Sequence, residues 1–313
     1  MGSRARVVFW SAAIVLLALL PPVVAALKEP FYLDLMRRVM IFAIAAISLN
    51  LILGYGGLVS FGHAAYLGIG GYAVGILAFY GVYSGWLQWP LAMGASALVA
   101  LAIGAVSIRT SGIYFIMITL AFTQMLYFLG VSLEMFGGDD GMRIKTRSQF
   151  SGLVDLADPV AFYYVVLVLM LASMYLVHRL VNSRFGMVLR AAKSNEARSR
   201  AIGFSPYLYR LAAFVIAGAL CGLAGALLAN HTAYITPDFM HWTRSGEIMF
   251  MVILGGIATG AGPLLGAAVL LVVESLLAGW TEHWQAILGP LLILSVIFFR
   301  RGLAGVLPGA RDG

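Results

Sequence analysis

Apolar residues fill most of this chain in blocks about as long as one membrane crossing, parted by short polar stretches. The pattern predicts helices over residues 7–27, 38–53, 61–80, 90–108, 112–132, 161–180, 209–229, 247–258, 263–279 and 284–299. That makes about ten helical segments, two of them short, and the expected fold class is an all-α polytopic membrane bundle. The pattern is interrupted in one place by "LILGYGGLVSFGHAAYLGIGG", residues 51–71, which carries seven glycines, a serine and a histidine in an otherwise oily stretch. Lipid offers the backbone no hydrogen bonds, so irregular chain survives there only when buried in protein or lining a wet cavity. Gly54, Gly56 and Gly57 are expected to loosen the helix, with Ser60 and His63 supplying partners for the freed amides and carbonyls. The expected result is a cytoplasmic-side turn or bent helix close to a central pathway.

A second break, between 255 and 262 with Gly255, Gly256 and Gly260, echoes the first. "LILGYGGLVSFG" (51–62) and "VILGGIATGAG" (252–262) both pass from an apolar helix through "ILG" into a small or polar stretch. Paired glycine-broken segments mark transporters built from internal repeats. Other glycines, as in "GYAVG" (71–75) and "GALCG" (218–222), have the small-xxx-small spacing that lets helices approach closely.

Composition sharpens the class. The chain is 62% hydrophobic and 11% charged, against about 45–50% and about 25% in soluble domains. Ten spans leave no room in 313 residues for a soluble domain, so a single transmembrane domain over 1–313 is expected. One cysteine, Cys221, excludes an internal disulfide framework and reads as a packing residue. The net charge of +7 is gathered in one loop and at the ends, which fits a positive-inside bias and not a nucleic-acid partner. With a cytoplasmic N-terminus, ten spans return the C-terminus to the cytoplasm and place thirteen Lys and Arg inside against seven outside. Arg37 and Arg38, side by side on the proposed outside, fit least. The run 7–27 has some features of a signal peptide, but its length and the spans behind it favour an uncleaved first span.

Candidate chemistry is sparse. The three lysines, Lys28, Lys145 and Lys193, never follow a glycine, so no phosphate cradle of the P-loop kind exists and any ATP must be hydrolysed by a partner. G-x-S-x-G and H-E-x-x-H are absent. "GGDDG" in the external loop 133–160 lacks the spacing of a calcium loop, and His231, Asp238 and His241 match a metal site poorly. No metal or cofactor is expected. Asn50, Ser60, His63, Thr119 and Gln124 are the polar residues placed to line a pathway. An ion-coupled secondary transporter would need intramembrane acids. Glu247 and Glu274 are available, the first expected to cap a helix and the second to pair within the bundle.

The longest inside connection, "NSRFGMVLRAAKSNEARSRAIGFSPYLYRL" (182–211), is basic. Within it "SNEARSRAIGF" reads as a short helix capped by Ser194 or Asn195, with Glu196 at its positive start and Gly203 ending it. Two turns are too short to stand alone and need a docking surface. Ala191, Ala192, Ala197 and Ala201 suit another protein better than lipid, although anionic lipid would attract the bases.

This segment resembles the cytoplasmic coupling segment of ABC importer permeases, in a looser form similar to the Liv-type family. "LNLILGYGGLVSFGHAAYLGIGGY" and "GEIMFMVILGGIATGAGPLLGAAVL" resemble that family's two signature stretches. The resemblance covers about residues 37–300 and leans to the LivM-like rather than the LivH-like branch, from "RAAKSNEARSRAIG" and the closing "FFRRGLAGVL". It implies the ABC importer permease fold and import of branched-chain amino acids, with urea, amides and aromatic carboxylates as the family's other solutes. Its implied partners are a second, LivH-like permease, two cytoplasmic ATPase subunits and a periplasmic binding protein, all at the bacterial inner membrane. Matching positions would put Arg190, Lys193, Asn195, Glu196, Ala197, Arg198 and Gly203, in a coupling segment of about 182–208, at the ATPase contact.

Overall fold

The structure is a computed structural model that describes residues 16–22, 24, 29–152, 155–281, 283, 286–290, 293, 297 and 302–305. The segments expected at 7–27 and 284–299 therefore lie partly outside the described residues; 16–22 and 286–290 are helical. The other eight expected segments are all helices. They are α1 (Pro30–Asn50), α2 (His63–Phe79), α3 (Gly85–Ser107), α4 (Ile113–Ser132), α5 (Pro159–Val181), α8 (Pro206–Thr232), α9 (Trp242–Gly255) and α10 (Gly262–Ala278), with α6 (Arg184–Ser194) and α7 (Glu196–Ala201) between α5 and α8. Among the described residues, five helices are long and apolar enough to cross a membrane, α1 together with the turn Leu51–Tyr55 that extends it, α3, α4, α5 and α8. Proline opens α1, α5, α8 and α10 in the first turn, where its missing N–H is no loss. Asp158 caps α5 by accepting from the amides of Val160 and Ala161.

α1 and α8 form the centre. The apolar window of α1 is 89% buried and that of α8 is 72%, against 22% for α4. α8 packs on α1, α2 and α3, and α1 also touches α5, α9 and α10. Glycine makes the α2–α8 approach possible: a side chain on Gly70 would strike the backbone of Gly222, and one on Gly225 the backbone of Leu67. Gly218 and Gly222 turn instead toward Ser96 and Ala100 of α3. Tyr163 and Tyr164 of α5 donate to the carbonyls of Leu17 and Ala18, which docks helical residues 16–22 on α5. At the far end of α8 a two-residue strand, β2 (Tyr234–Ile235), pairs antiparallel with β1 (Met142–Arg143) of the loop after α4.

Three helix starts lie five residues or more before the periodicity reading, and one of them, α3, begins at Gly85 and not residue 90. α1 begins at Pro30, not residue 38, because Arg37 and Arg38 lie within the helix. Arg37 donates to Asp34 at 2.7 Å and its guanidinium lies over the Phe162 ring, while Arg38 pairs with Glu274 at 2.9 Å. Both charges are matched inside the bundle, so they do not mark a loop. Likewise α9 begins at Trp242, since Arg244 is held by Glu247 at 2.9 Å and Asp238 at 3.4 Å.

Candidate functional site

The first glycine break is a real one. α1 widens into a π turn over Leu51–Tyr55, after which residues 56–62 run irregularly to α2. The wider turn is visible in its bonds, Gly56 N–H to Leu51 O at 3.2 Å and Leu58 N–H to Ile52 O at 2.9 Å. Gly57 sits at φ +71°, a conformation that disfavours any side chain. The remaining backbone groups find hydroxyls. Phe61 N–H donates to Thr119 Oγ1 at 3.2 Å, and Phe61 O accepts from Ser245 Oγ at 2.7 Å and from Thr123 Oγ1 at 3.1 Å. Ser245 also accepts from Ala64 N–H at 2.9 Å, and Ser60 accepts from Gly62 N–H at 3.1 Å. Loop 56–62 is thus riveted to α4 and α9 by side chains that replace the lost helical bonds. Thr123 and Ser245 escaped the sequence reading. Thr123 stands one turn beyond Thr119 on the same face of α4, and that spacing was its only signal.

The second break, residues 256–261 between α9 and α10, lies directly against the first. Asn50, at the end of α1, accepts from Ala258 N–H at 2.9 Å and donates to Thr259 O at 2.9 Å. A Cβ on Gly54 would stand 2.7 Å from Ala258 N, so the two echoing segments touch along their backbones. Thr259 Oγ1 closes the turn, donating to Gly256 O at 2.7 Å and accepting from Gly262 N–H at 3.1 Å. Gly255 and Gly256 are buried, Gly256 with φ +119°, whereas Gly260 is exposed with nothing near the position of a Cβ.

The basic segment folds as two helices instead of one. α6 buries Val188, Leu189 and Ala192, and α7 follows after Asn195. Asn195 is the cap, its Oδ1 accepting from Arg198 N–H at 2.9 Å, and Gly203 ends the turn at φ +89°. Glu196 pairs with Arg200 and, at 2.6 Å, with Arg210 of α8; Arg210 also donates to Ala192 O at 3.1 Å. One arginine therefore ties α6, α7 and α8 together. Partial burial pushes the Glu196 carboxyl up, and the bonds and charges of Arg210 and Arg200 outweigh it, holding it below its ordinary value. Lys193 is exposed along its stem, but its Nζ reaches in and donates to Gly54 O at 2.7 Å. Arg190, Ala197, Arg198 and Gly203 are exposed. Beside them stand two apolar side chains that the charge pattern hid, Ile202 at 64% and Phe204 at 42% exposure.

The five polar residues proposed for a pathway separate sharply. Asn50, Ser60, His63 and Thr119 are fully or almost fully buried and engaged inside the protein. His63 Nε2 lies 3.1 Å from Ser48 Oγ, which also lies 2.7 Å from Ala45 O. Gln124, half-buried on α4, makes no hydrogen bond among the described residues. Cys221 is buried, its thiol donating to His63 O at 3.3 Å.

This geometry gives helices breaking at two abutting glycine turns, with a basic double helix bonded to one of them. A family model described as "Branched-chain amino acid transport system / permease component" matches residues 31–296. The chain belongs to that family. It is 29% identical to the high-affinity branched-chain amino acid transport system permease protein LivM of Salmonella typhimurium, over 92% of this chain and 74% of that protein. Similarity to the LivH permease of Escherichia coli is lower, 22% over 84% of this chain and 91% of LivH. The autoinducer 2 import system permease LsrC of Yersinia pseudotuberculosis is 27% identical over 66% of this chain and 62% of LsrC. No solved structure matches the chain. The protein is a multi-pass, LivM-like permease component of an import system.

Proposed function

We propose that this LivM-like permease is one half of a heterodimeric ABC importer of the bacterial inner membrane, with a LivH-like permease as its other half. The whole chain acts as one transmembrane domain with core 37–300, both termini in the cytoplasm. Of two ATPase subunits, each grips the coupling segment of one permease, here 182–208, and a periplasmic binding protein delivers a branched-chain amino acid. The role is transport, not catalysis. The observation that carries this reading is that Ile202 and Phe204 are exposed on the same short segment as the exposed bases Arg190, Arg198 and Arg200, a segment braced by Glu196 and Arg210. Exposed apolar side chains on a basic segment are what a protein partner covers. The acids that ion coupling would need, Glu247 and Glu274, are each paired with an arginine.

In this reading the pathway runs along α4, which is supported by α4 being the least buried of the long helices and by Thr119 and Thr123 fastening it to the first break, with Gln124 as its polar contact. Alternating access follows if ATPase closure moves α6 and α7, and the breaks move with them. The test is the four-subunit complex in proteoliposomes with ATP on the ATPase side and the loaded binding protein opposite. Leucine uptake should require ATP and fall about tenfold or more when Ile202→Asp and Phe204→Asp together strip the ATPases from the complex. Uptake driven by a proton gradient without ATP would overturn the reading, and ATP-dependent uptake of a urea, amide or aromatic carboxylate in place of leucine would overturn the substrate.

A further inference from the structure

We propose that Lys193 is a positioning residue, a strut through which the cytoplasmic segment moves both glycine breaks; this rests on the importer reading above. Its ammonium bonds the carbonyl of Gly54, a residue 139 positions away in sequence. Gly54 lies in the π turn at the end of the most buried helix, where a carbonyl has lost its helical donor. The site is shaped around the lysine. Its stem lies so close over Gly57 that a Cβ there would stand 2.8 Å from Lys193 Cγ, and Gly57 also needs its positive φ.

Each end of the strut is fixed to something that moves as a unit. On the α6 side, the residue before Lys193 is held by Arg210, which bonds Ala192 O and the Glu196 carboxylate together. On the break side, Gly54 backs onto Ala258, and Asn50 clamps Ala258 and Thr259 from the preceding turn of α1. Displacement of α6 therefore reaches the first break through one charged hydrogen bond and the second through two amide bonds. Arg190, Lys193 and Arg198 are all exposed on the same segment, and of the three only Lys193, among the described residues, sends its charged end back to a carbonyl of the bundle. The family pattern would put Lys193 among the ATPase contacts; its bond to Gly54 O gives it a contact with the bundle instead.

Lys193→Met separates these roles, because it keeps the stem over Gly57 and removes the donor. In the reconstituted complex, the ATPase subunits should co-purify undiminished and hydrolyse ATP within about twofold of the unaltered complex, while uptake per ATP falls about tenfold or more. Lys193→Arg, which restores a charged donor, should recover uptake to within about threefold. Uptake within about twofold of normal in Lys193→Met, or equal loss in the Met and Arg variants, would overturn the strut. Loss of ATPase subunits from the Met complex would also overturn it, by making Lys193 a docking contact. Absence of ATP-dependent uptake from the unaltered complex would overturn the importer reading and the strut with it, and is seen before any variant is compared.

Discussion

The two glycine breaks read almost alike in sequence, yet the structure holds them differently. The first, the π turn 51–55 with the loop 56–62, is fastened on several sides: by Thr119 and Thr123 from α4, Ser245 from α9 and Lys193 from α6. The second, 256–261, takes its only side-chain bonds from other elements, among the described residues, from Asn50. Its other close neighbour is the backbone of Gly302, which packs on Gly256 without space for a side chain. A break riveted to three helices transmits displacement, and one attached through its twin follows it. Similar glycine patterns thus say where a chain bends and nothing about which bend drives the other.

The comparison can be broken most directly at Gly54, where the breaks touch. Gly54→Leu should cost about 3 kcal/mol or more, from overpacking against Ala258 and loss of the Asn50 clamp. Thermal melting of the purified complex measures it, and a melting point unchanged within error would deny that the backbones abut. Asn50→Ala should cost about 2 kcal/mol by leaving Ala258 N–H without its partner. Amide exchange should then rise across 256–261 while 61–64 stays protected; the reverse order would invert the hierarchy of the two breaks.

Ser245→Ala attacks the first break alone, removing the donor to Phe61 O and the acceptor of Ala64 N–H, and about 1–2 kcal/mol is expected. Exchange at residue 64 should rise without change at 258. Acid probes the brace that steadies α6. The Glu196 carboxyl is held below its ordinary value, so its pairing with Arg210 is complete above the unfolded glutamate pKa of about 4.3 and is lost as pH falls through the lower folded value. Proteolysis of segment 184–203 should therefore be constant from neutral pH to about 5 and accelerate only in stronger acid. Acceleration already near pH 6 would show that another group holds the segment. Smallest of all, Gly260→Ala should change stability by less than about 0.5 kcal/mol, because a side chain there meets open space. A large loss would mean that the second break is as tightly held as the first.

How much was legible beforehand depends on what each residue does. Both breaks were visible, since each sets closely spaced glycines beside polar residues between two apolar runs. The Asn195 cap and the Gly203 stop were visible for the same local reason. Arg37 and Arg38 were misplaced because periodicity counts a charge as solvent-facing, and only the fold supplies Asp34, Phe162 and Glu274 to receive them. Asn50 was noticed as polar within an apolar helix, but its two bonds reach across more than 200 residues, a distance over which a single sequence holds no pairing signal. The inward reach of the Lys193 ammonium was hidden by its company: in a row of exposed bases, one that bonds a backbone carbonyl looks the same as the rest.

By itself, then, the order of residues determined the solvent, the class and the bends: this much apolar surface needs lipid, and glycine in lipid-length helices weakens them where it stands. The tertiary structure alone decided which bend touches which, which threonines and serines close the open backbone, and which base of the 184–203 segment bonds the first break. The reason is physical. Hydrophobicity and helix propensity are additive properties of short windows, whereas a buried hydrogen bond exists only once two distant segments have been brought within 3 Å or so of each other.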